Sequence, residues 1–338
     1  MTDPLTVTTL STLADGPIFG LPLAKLWFGL IFAVLGTFLF LDGFDFGVGA
    51  LFATRSTEAE REQLLAAIGP FWDGNEVWLV VFGGMLFAVF PVIYADLFSR
   101  HYLLMFGILA ALIARGLSPE MYEQRHDETW QRWWGRSFVA GSVTAPLFLG
   151  IFAGNWMFGV DGFASVASIL VGLAMVALTV VDGSAYLGVK TRGDVRSETR
   201  AMGLLAQVVY LALAVAALVA GSTTASHVEL LSLPVLGLLG LTVLLAAVYV
   251  VAGRFGRWYV AFAAVAGQVY GLVALVATVL FPLVDPVTGL TVEEAVVSTL
   301  PLNLTSIGAA FLLPLIATYF VVLYSAFSGP VEEAESYA

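Results

Sequence analysis

The sequence predicts an all-α integral membrane protein. Its 338 residues are 59% hydrophobic and only 12% charged, and the mean hydropathy is +0.93. Apolar runs close to the roughly 20 residues that cross a bilayer as a helix recur along the whole length. A transmembrane β-barrel would instead show alternating segments of about ten residues. These observations predict a bundle of membrane-spanning helices.

Nine apolar segments are predicted to span the membrane. They are residues 25–52, 76–94, 98–114, 138–157, 166–189, 202–220, 231–252, 258–283 and 303–327. Positive charge near helix ends stays on the cytoplasmic side. With the N-terminus outside, 12 of the 14 Lys and Arg fall in cytoplasmic loops, which leaves Lys25 and Arg100 on the outer side. An odd number of spans then places the C-terminus in the cytoplasm.

Residues 1–24 form a predicted outer-surface lead-in, because they contain Asp3 and Asp15 and no Lys or Arg. A secretory signal peptide would begin with a basic region. The formal net charge of −11 comes from loop and tail acids, and it suits a high-salt organism and an ordinary acidic protein equally well. No basic stripe is present, which argues against nucleic-acid binding.

The first predicted helix carries two carboxylates near its cytoplasmic end. Asp42 and Asp45 are three residues apart, so they share one helix face. An ionisable side chain in a bilayer costs about 2.5 to 3.5 kcal/mol on insertion scales, so it is kept mainly where it lines a path or meets a partner. A hydrogen bond to neighbouring backbone is the alternative role. Gly43 and Gly47 allow a second helix to approach closely.

The second helix begins with a polar octet, Phe71-Trp-Asp-Gly-Asn-Glu-Val-Trp78. Because this helix begins on the cytoplasmic side, Asp73 and Glu76 are expected to lie at the same membrane depth as Asp42 and Asp45. Like charges that lie close together cannot all ionise in a low dielectric, so some are expected to hold and exchange protons. A helix cap is the alternative role for Asp73. Asn75 is expected to bond between helices, and Trp78 to pack or to line a gas path.

Arg115 ends the third predicted helix beside Gly116, before a basic loop with three tryptophans. The loop is interpreted as positive-inside anchoring with an aromatic belt. Arg115 either belongs to that anchor or pairs with one of the buried acids.

The fifth helix repeats the Asp-Gly pair of the first, since Asp182-Gly183 lies at a similar depth on a helix of the same direction. The two helices are four apart, which suggests two four-helix units in one orientation plus a ninth helix. Chance explains a single dipeptide match equally well. The predicted divisions are the lead-in 1–24, the first unit 25–157, the second unit 158–283, and 284–338 with an outer loop, the ninth helix and an acidic cytoplasmic tail.

The chain has no cysteine and only three histidines, His101, His126 and His227. The lack of cysteine excludes disulfides and iron–sulfur clusters ligated by this chain. Each histidine lies at a predicted helix end or in a loop, where we expect a solvated or interfacial side chain rather than a haem or copper ligand. Any redox centre is therefore expected on another subunit.

Several segments together match one known family. They are Asp42-Gly-Phe-Asp45, Trp72-Asp-Gly-Asn-Glu-Val-Trp78, Pro91-Val-Ile-Tyr94, Arg115-Gly116, Thr199-Arg200-Ala201 and Phe281-Pro282. In these segments the sequence resembles subunit II of the cytochrome bd-type quinol oxidases. The octet is specific to that family, and the resemblance covers nearly the whole chain.

The resemblance implies a complex in a prokaryotic plasma membrane that oxidises quinol, reduces dioxygen to water and builds a proton gradient without pumping. It implies that the partner, subunit I, binds the quinol and ligates the haems, b and d or b only, while this chain ligates no metal. A small single-helix subunit and a bound quinone or lipid are further expectations. The implied fold is two four-helix bundles and one peripheral helix.

The resemblance also implies roles for particular residues, although none acts directly as a catalytic residue. Asp42, Asp45 and Asp73 correspond to a cytoplasmic proton path, and Trp78 matches an indole associated with an oxygen route. Glu76 is placed on the same path, but it stands where many members carry Gln. Asn75 and Arg115 are expected to give polar support.

A second hypothesis is a stand-alone secondary transporter that couples buried carboxylates to protons or sodium. A purely structural subunit is a third. Purification from the native membrane discriminates the first two, since an oxidase subunit would bring a haem-bearing partner and a transporter would be a colourless homo-oligomer.

Overall fold

The computed structural model describes residues 13–331, and within this range the chain is a bundle of twelve helices. The helices are α1 (Leu23–Phe52), α2 (Glu58–Ile68), α3 (Trp72–Val89), α4 (Pro91–Arg100), α5 (Tyr102–Glu123), α6 (Glu128–Phe158), α7 (Val166–Lys190), α8 (Gly193–Ser222), α9 (Leu233–Arg254), α10 (Trp258–Leu280), α11 (Val292–Ala295) and α12 (Thr299–Ala326). A 3₁₀ turn, Ile18–Gly20, precedes α1, and an antiparallel ribbon of β1 (Leu283–Asp285) and β2 (Leu290–Thr291) precedes α11. The predicted acidic tail, residues 332–338, and Asp3 of the lead-in lie outside the described residues.

Eight helices of the described range are long and apolar enough to cross a membrane. They are α1, α5, α6, α7, α8, α9, α10 and α12. Each overlaps one predicted span, so the prediction of an all-helical membrane protein is confirmed. The segment 76–94 differs, because α3 ends at Val89 and Phe90 takes the non-helical angles φ −125° and ψ 60°. Pro91 follows in the first turn of α4, a position that tolerates its missing N–H group.

Two predicted boundaries are wrong for local reasons. The segment 98–114 crosses a break at His101, where φ is −110° and ψ is 28°. The tryptophans placed in a loop after the third span lie instead on α6, which begins at Glu128. The Asp127 side chain accepts a hydrogen bond from the backbone N–H of Trp130 at 2.9 Å. This N-cap starts the helix well before the apolar segment begins.

Helices α1 and α7 form the centre of the bundle. They pack against each other, and each also packs against α6 and α10. A Cβ atom at Gly47 would lie 1.8 Å from the Thr179 carbonyl oxygen, and one at Gly183 would lie 2.5 Å from the carbonyl carbon of Gly47. The two helix backbones can touch because these positions carry no side chain, as small residues at a membrane helix contact allow.

The last long helix lies at the edge of the bundle. Only 6% of the most apolar stretch of α12 is buried inside the protein. The helix contacts mainly α3. One attachment is aromatic, since the Phe71 ring stacks on Tyr324 with centroids 4.5 Å apart. Most of α12 is therefore exposed to lipid or to a partner.

The short helix α2 holds the chain between α1 and α3. Thr57 and Glu60 form a capping box at its start. The Glu60 carboxylate accepts hydrogen bonds from the backbone N–H groups of Thr57 and Ser56, and these bonds hold the pKa of that carboxyl below its usual range. Leu64 and Ile68 of α2 are buried, so the helix covers one end of the bundle and sets where α3 begins.

We expect Gly47→Ala to destabilise the protein, because the new methyl group would overlap the backbone of α7. Overpacking in a core typically costs about 1–3 kcal/mol. Gly83→Ala in α3 is the matched control, since a Cβ there meets nothing within 4 Å. The measurement is the midpoint of thermal unfolding in detergent. Equal midpoints for the two variants would contradict the close contact of α1 and α7.

Candidate functional site

A buried guanidinium gathers three carboxyl groups from two other helices. The Arg115 side chain on α5 is 1% exposed. Its Nη2 lies 2.9 Å from Asp42 Oδ1 and 3.3 Å from Asp45 Oδ2, and its Nη1 lies 2.6 Å from Glu76 Oε1. The planar fork of arginine suits such multiple contacts with carboxylates. We call these four residues the Arg115 cluster.

Aromatic rings and a glycine position the guanidinium. It lies 5.4 Å from the centroid of the Phe46 ring and 5.3 Å from that of Trp72, within the range of cation–π attraction. On α6, a Cβ at Gly141 would be 2.6 Å from the backbone nitrogen of Arg115. Because Gly141 has no side chain, α6 packs closely against α5 at Arg115. This packing keeps Arg115 within reach of the acids.

A hydrogen-bonded chain leads from the cluster to the peripheral helix. The Asn75 Nδ2 group donates to Asp45 Oδ2 at 2.8 Å and to the Leu41 carbonyl at 3.1 Å. The Tyr324 hydroxyl on α12 donates to Asn75 Oδ1 at 2.8 Å. Asn75 is fully buried, so the amide both orients Asp45 and links α12 to the cluster.

The charges in the cluster do not balance if every acid ionises. Asp42 and Asp45 are fully buried, and they share a single guanidinium with Glu76. Like charges at such short range disfavour full ionisation, and burial disfavours it further. The arrangement can therefore hold protons on its carboxyl groups and pass them between neighbours.

Asp73 lies apart from the other predicted acids. It is exposed in the first turn of α3, and within residues 13–331 no contact joins its carboxylate to Arg115. The N-cap position of α3 is Phe71, so Asp73 is not the cap residue. Glu76 is 28% exposed and lies between the surface and the buried acids. Asp73 borders an open groove of 690 Å³ whose other lining residues include Gly74, Val77, Leu315, Ile316 and Tyr319.

Trp78 lies five residues beyond Asp73 and two beyond Glu76 on α3, and it is 8% exposed. Its ring packs against Phe320 of α12, with centroids 5.3 Å apart. In the described part of the chain its indole N–H has no hydrogen-bond partner. Trp78 therefore fills the apolar space between α3 and α12.

The three histidines lie in different surroundings. His126 is exposed, and His227 Nε2 lies 2.9 Å from the Met157 carbonyl oxygen. The prediction of a solvated or interfacial side chain is wrong for His101, which is 3% exposed. The break between α4 and α5 turns this ring inward, where it meets Phe152 of α6 edge-on at 5.9 Å.

Three polar features of the structure were not assigned to the site from the sequence. Asp182 is fully buried, and its Oδ2 lies 3.0 Å from where a Cβ of Gly43 would be. The repeat of the Asp42-Gly43 pair at Asp182-Gly183 was the feature of the sequence that pointed to this residue. Tyr324 had no comparable signal in the sequence. On the side that holds the ribbon, Arg100 pairs with the buried Asp285 at 2.7 Å, and the two residues are far apart in the chain.

Comparison with known proteins matches this architecture to one family. The family model described as cytochrome bd terminal oxidase subunit II matches residues 23–327. The chain belongs to this family. Its octet and its Arg115 cluster are therefore features of a cytochrome bd subunit II.

Two relatives and one structure illustrate the membership. The subunit is 31% identical to cytochrome bd ubiquinol oxidase subunit 2 of Bacillus subtilis (strain 168), over 93% of this chain and 98% of that protein. It is 33% identical to the cytochrome bd-I ubiquinol oxidase subunit 2 of Escherichia coli (strain K12), over 55% of this chain and 54% of that protein. A chain of the bd oxidase from Geobacillus thermodenitrificans shares the fold, with a TM-score of 0.74 at 19% identity, over 91% of this chain and 99% of that one.

The subunit is therefore part of a cytochrome bd quinol oxidase complex in a bacterial membrane. Subunit II implies a partner subunit I. Membership in an oxidase complex sets aside the hypothesis of a stand-alone transporter.

We expect Arg115→Gln to prevent assembly, because it leaves Asp42, Asp45 and Glu76 without their cation. Removing one partner of a buried ion pair typically costs about 3–5 kcal/mol. Arg132→Gln is the control, since Arg132 pairs with Glu128 on the surface and such pairs contribute about 0–1 kcal/mol. The measurement is the yield of complex with full haem content.

Adding Asp42→Asn to Arg115→Gln should restore part of that yield, since it removes one of the uncompensated acids. Assembly of the single Arg115→Gln variant at the level of Arg132→Gln would contradict the structural role of the guanidinium.

Proposed function

We propose that this subunit conducts cytoplasmic protons to subunit I, where quinol is oxidised and dioxygen is reduced to water. The observation that carries the proposal is the Arg115 cluster, in which buried acids share one cation and reach the surface through a half-buried Glu76. Protons supplied from one side of the membrane would build the gradient without pumping. The subunit would act as the proton supply of the oxidase and as a scaffold for its partner.

The proposed path has a surface step and a buried step. Asp73, exposed beside the groove between α3 and α12, would take protons from the cytoplasm. Glu76 lies about one turn from Asp73 on α3 and contacts Arg115, so it would pass protons inward. Asp42 and Asp45 would hold them within the membrane. Asn75 would fix the orientation of Asp45 through its hydrogen bond.

The topology proposed for this path is nine membrane passes with the N-terminus outside and the C-terminus in the cytoplasm. The second pass would consist of α3 and the following α4. The 18 residues of α3 extend about 27 Å at 1.5 Å per residue, close to the roughly 30 Å of a bilayer core. The divisions 1–24, 25–157, 158–283 and 284–338 would be the lead-in, two four-helix units, and the outer loop with the peripheral helix and tail.

The partner would supply the redox groups. Subunit I would ligate the haems, b and d or b only, and bind the quinol, since this chain has only three histidines and no cysteine. A small single-helix subunit and a bound quinone or lipid would complete the complex. The exposed apolar side chains of α12, among them Phe311, Leu315 and Val321, would face lipid or a partner.

Trp78 would border a route for dioxygen. Its indole lies between α3 and α12 and packs against the Phe320 ring. Dioxygen is apolar and dissolves in the bilayer, so a lateral route between two helices suits it. Removing the indole would open this space.

Asp42→Asn and Asp73→Asn should each lower quinol-dependent oxygen uptake, because each replaces a proton carrier with an amide that cannot ionise. We expect a decrease of at least tenfold for Asp42→Asn and a smaller one for Asp73→Asn, whose position is open to solvent. Glu62→Gln, at an exposed position on α2, is the control. Full haem content with unchanged uptake in both Asp variants would refute the path.

Trp78→Ala should change the apparent affinity of the oxidase for dioxygen more than its affinity for quinol. The physical reason is that the truncation enlarges the space between α3 and α12 without touching a charged group. Trp133→Ala is the control, since Trp133 is 66% exposed. The measurement is the KM for each substrate, and a change confined to quinol would refute the assignment.

A further inference from the structure

The orientation of the Asn75 side chain is fixed by its surroundings. Its Nδ2 lies 3.1 Å from the Leu41 carbonyl oxygen and 2.8 Å from Asp45 Oδ2. A backbone carbonyl can only accept a hydrogen bond, so the amide must present its NH2 group to Leu41 and not its oxygen. The two amide hydrogens are then used by Leu41 and Asp45, which leaves Oδ1 of Asn75 in need of a donor.

Tyr324 of the peripheral helix α12 supplies that donor. Its hydroxyl lies 2.8 Å from Asn75 Oδ1, and because an amide oxygen carries no hydrogen, the hydroxyl must donate. The Tyr324 ring is held by stacking on Phe71 at 4.5 Å and by an edge contact with Phe44 at 6.5 Å. Asn75 is fully buried, so without this hydroxyl its Oδ1 would be an unpaired buried acceptor, which is unfavourable.

The chain after Tyr324 is tied to the bundle. The Lys190 ammonium at the end of α7 donates to the Phe327 carbonyl oxygen. The backbone N–H of Val331 donates to the Lys190 carbonyl oxygen at 2.9 Å. These contacts hold the cytoplasmic end of α12 in the place from which the Tyr324 hydroxyl reaches Asn75.

This arrangement distinguishes the two oxygens of Asp45. Oδ2 accepts from Asn75 and lies 3.3 Å from Arg115 Nη2, so two nitrogen donors already lie against it. Oδ1 is buried and has no hydrogen-bond partner among residues 13–331. A hydrogen on Oδ2 would compete with those donors for its lone pairs, whereas a hydrogen on Oδ1 would not. The proton of a neutral Asp45 therefore belongs on Oδ1.

We propose that Tyr324 is a positioning residue of the proton path, an inference that rests on the proposed function. Its hydroxyl holds the Asn75 amide so that Asp45 takes up and releases its proton at Oδ1, while Oδ2 keeps its hydrogen bonds. The O–H bond on Oδ1 forms when the proton arrives and breaks when it leaves, and the N–H groups of Asn75 and Arg115 stay intact. Tyr324 carries no proton of the path, because the amide lies between its hydroxyl and the carboxyl group.

The test is Tyr324→Phe in the complete oxidase complex, a change that removes the hydroxyl and keeps the ring that stacks on Phe71. Tyr270→Phe is the matched control. The Tyr270 hydroxyl also bonds across helices, to Thr37 at 2.7 Å, and Thr37 lies eight residues before Asp45 on α1. We expect full haem content in both variants, a several-fold loss of quinol-dependent oxygen uptake in Tyr324→Phe, and wild-type uptake in Tyr270→Phe. Equal uptake in the two variants would overturn the proposal.

Infrared difference spectroscopy gives a readout that a general loss of packing would not move. The carbonyl band of protonated Asp45 is the band that disappears in Asp45→Asn. Hydrogen bonds to Oδ2 lower the frequency of this stretch, so Tyr324→Phe should shift the band to a higher frequency and Tyr270→Phe should leave it in place. An unshifted band in Tyr324→Phe, or no band lost in Asp45→Asn, would overturn the proposal.

Asn75→Ala tests whether Tyr324 acts through the amide. It removes the donor to Asp45 Oδ2 directly, so we expect the same band shift and at least the same loss of uptake. Adding Tyr324→Phe to Asn75→Ala should then change neither quantity, because residues that act through one shared contact are not additive. A further loss of uptake in the double variant would overturn the positioning role.

Asp45→Asn separates this inference from the proton path. Full uptake in Asp45→Asn would refute the path and with it the role of Tyr324. A loss of uptake in Asp45→Asn, together with wild-type uptake and an unshifted band in Tyr324→Phe, would leave the path standing and overturn the role of Tyr324 alone.

Discussion

The architecture of this subunit depends on one buried cation. Arg115 places a permanent positive charge where three helices meet, and such a charge is tolerated only where acids are brought to it. The requirement explains the close approach of α6 at Gly141, which presses α5 inward. It also explains why α1 and α3 place their polar faces toward the same point. Apolar packing shapes the remainder of the bundle around this centre.

Stability alone does not account for such a centre. Well-packed apolar residues often replace a buried ion pair with no loss of stability, or with a gain. The cluster also has more acids than cations, and Asp182 adds a buried carboxyl whose oxygens have no hydrogen-bond partner among residues 13–331. An excess of buried carboxyl groups is costly for folding and useful for holding protons. The balance between these two effects favours a role in proton transfer, as proposed for this subunit.

Composition and hydropathy were sufficient to predict the fold class, because eight helices are long and apolar enough to be read from the chain. The acids of α1 and α3 were predicted to be functional because an ionisable side chain in lipid costs free energy. The sequence could not show that Asp73 is exposed while Glu76 reaches Arg115, because the two residues are about one helical turn apart and the position at which α3 begins decides which of them lies beside α5. Nor could it place Tyr324 or His101, whose surroundings come from helices distant in the chain. The helix cap at Asp127 and the helix break at Phe90 explain why the observed helix boundaries differ from the predicted ones.

The attachment of α12 has a consequence for biogenesis. This helix is synthesised after every helix that contributes to the Arg115 cluster, yet its Tyr324 hydroxyl completes the hydrogen bonding of Asn75. During membrane insertion, α1, α3 and α5 must therefore come together while one side of Asn75 is still open. The polar interior would remain accessible to water or to insertion factors until α12 docks. Closure of the space around the Arg115 cluster is then a late event in the maturation of the subunit.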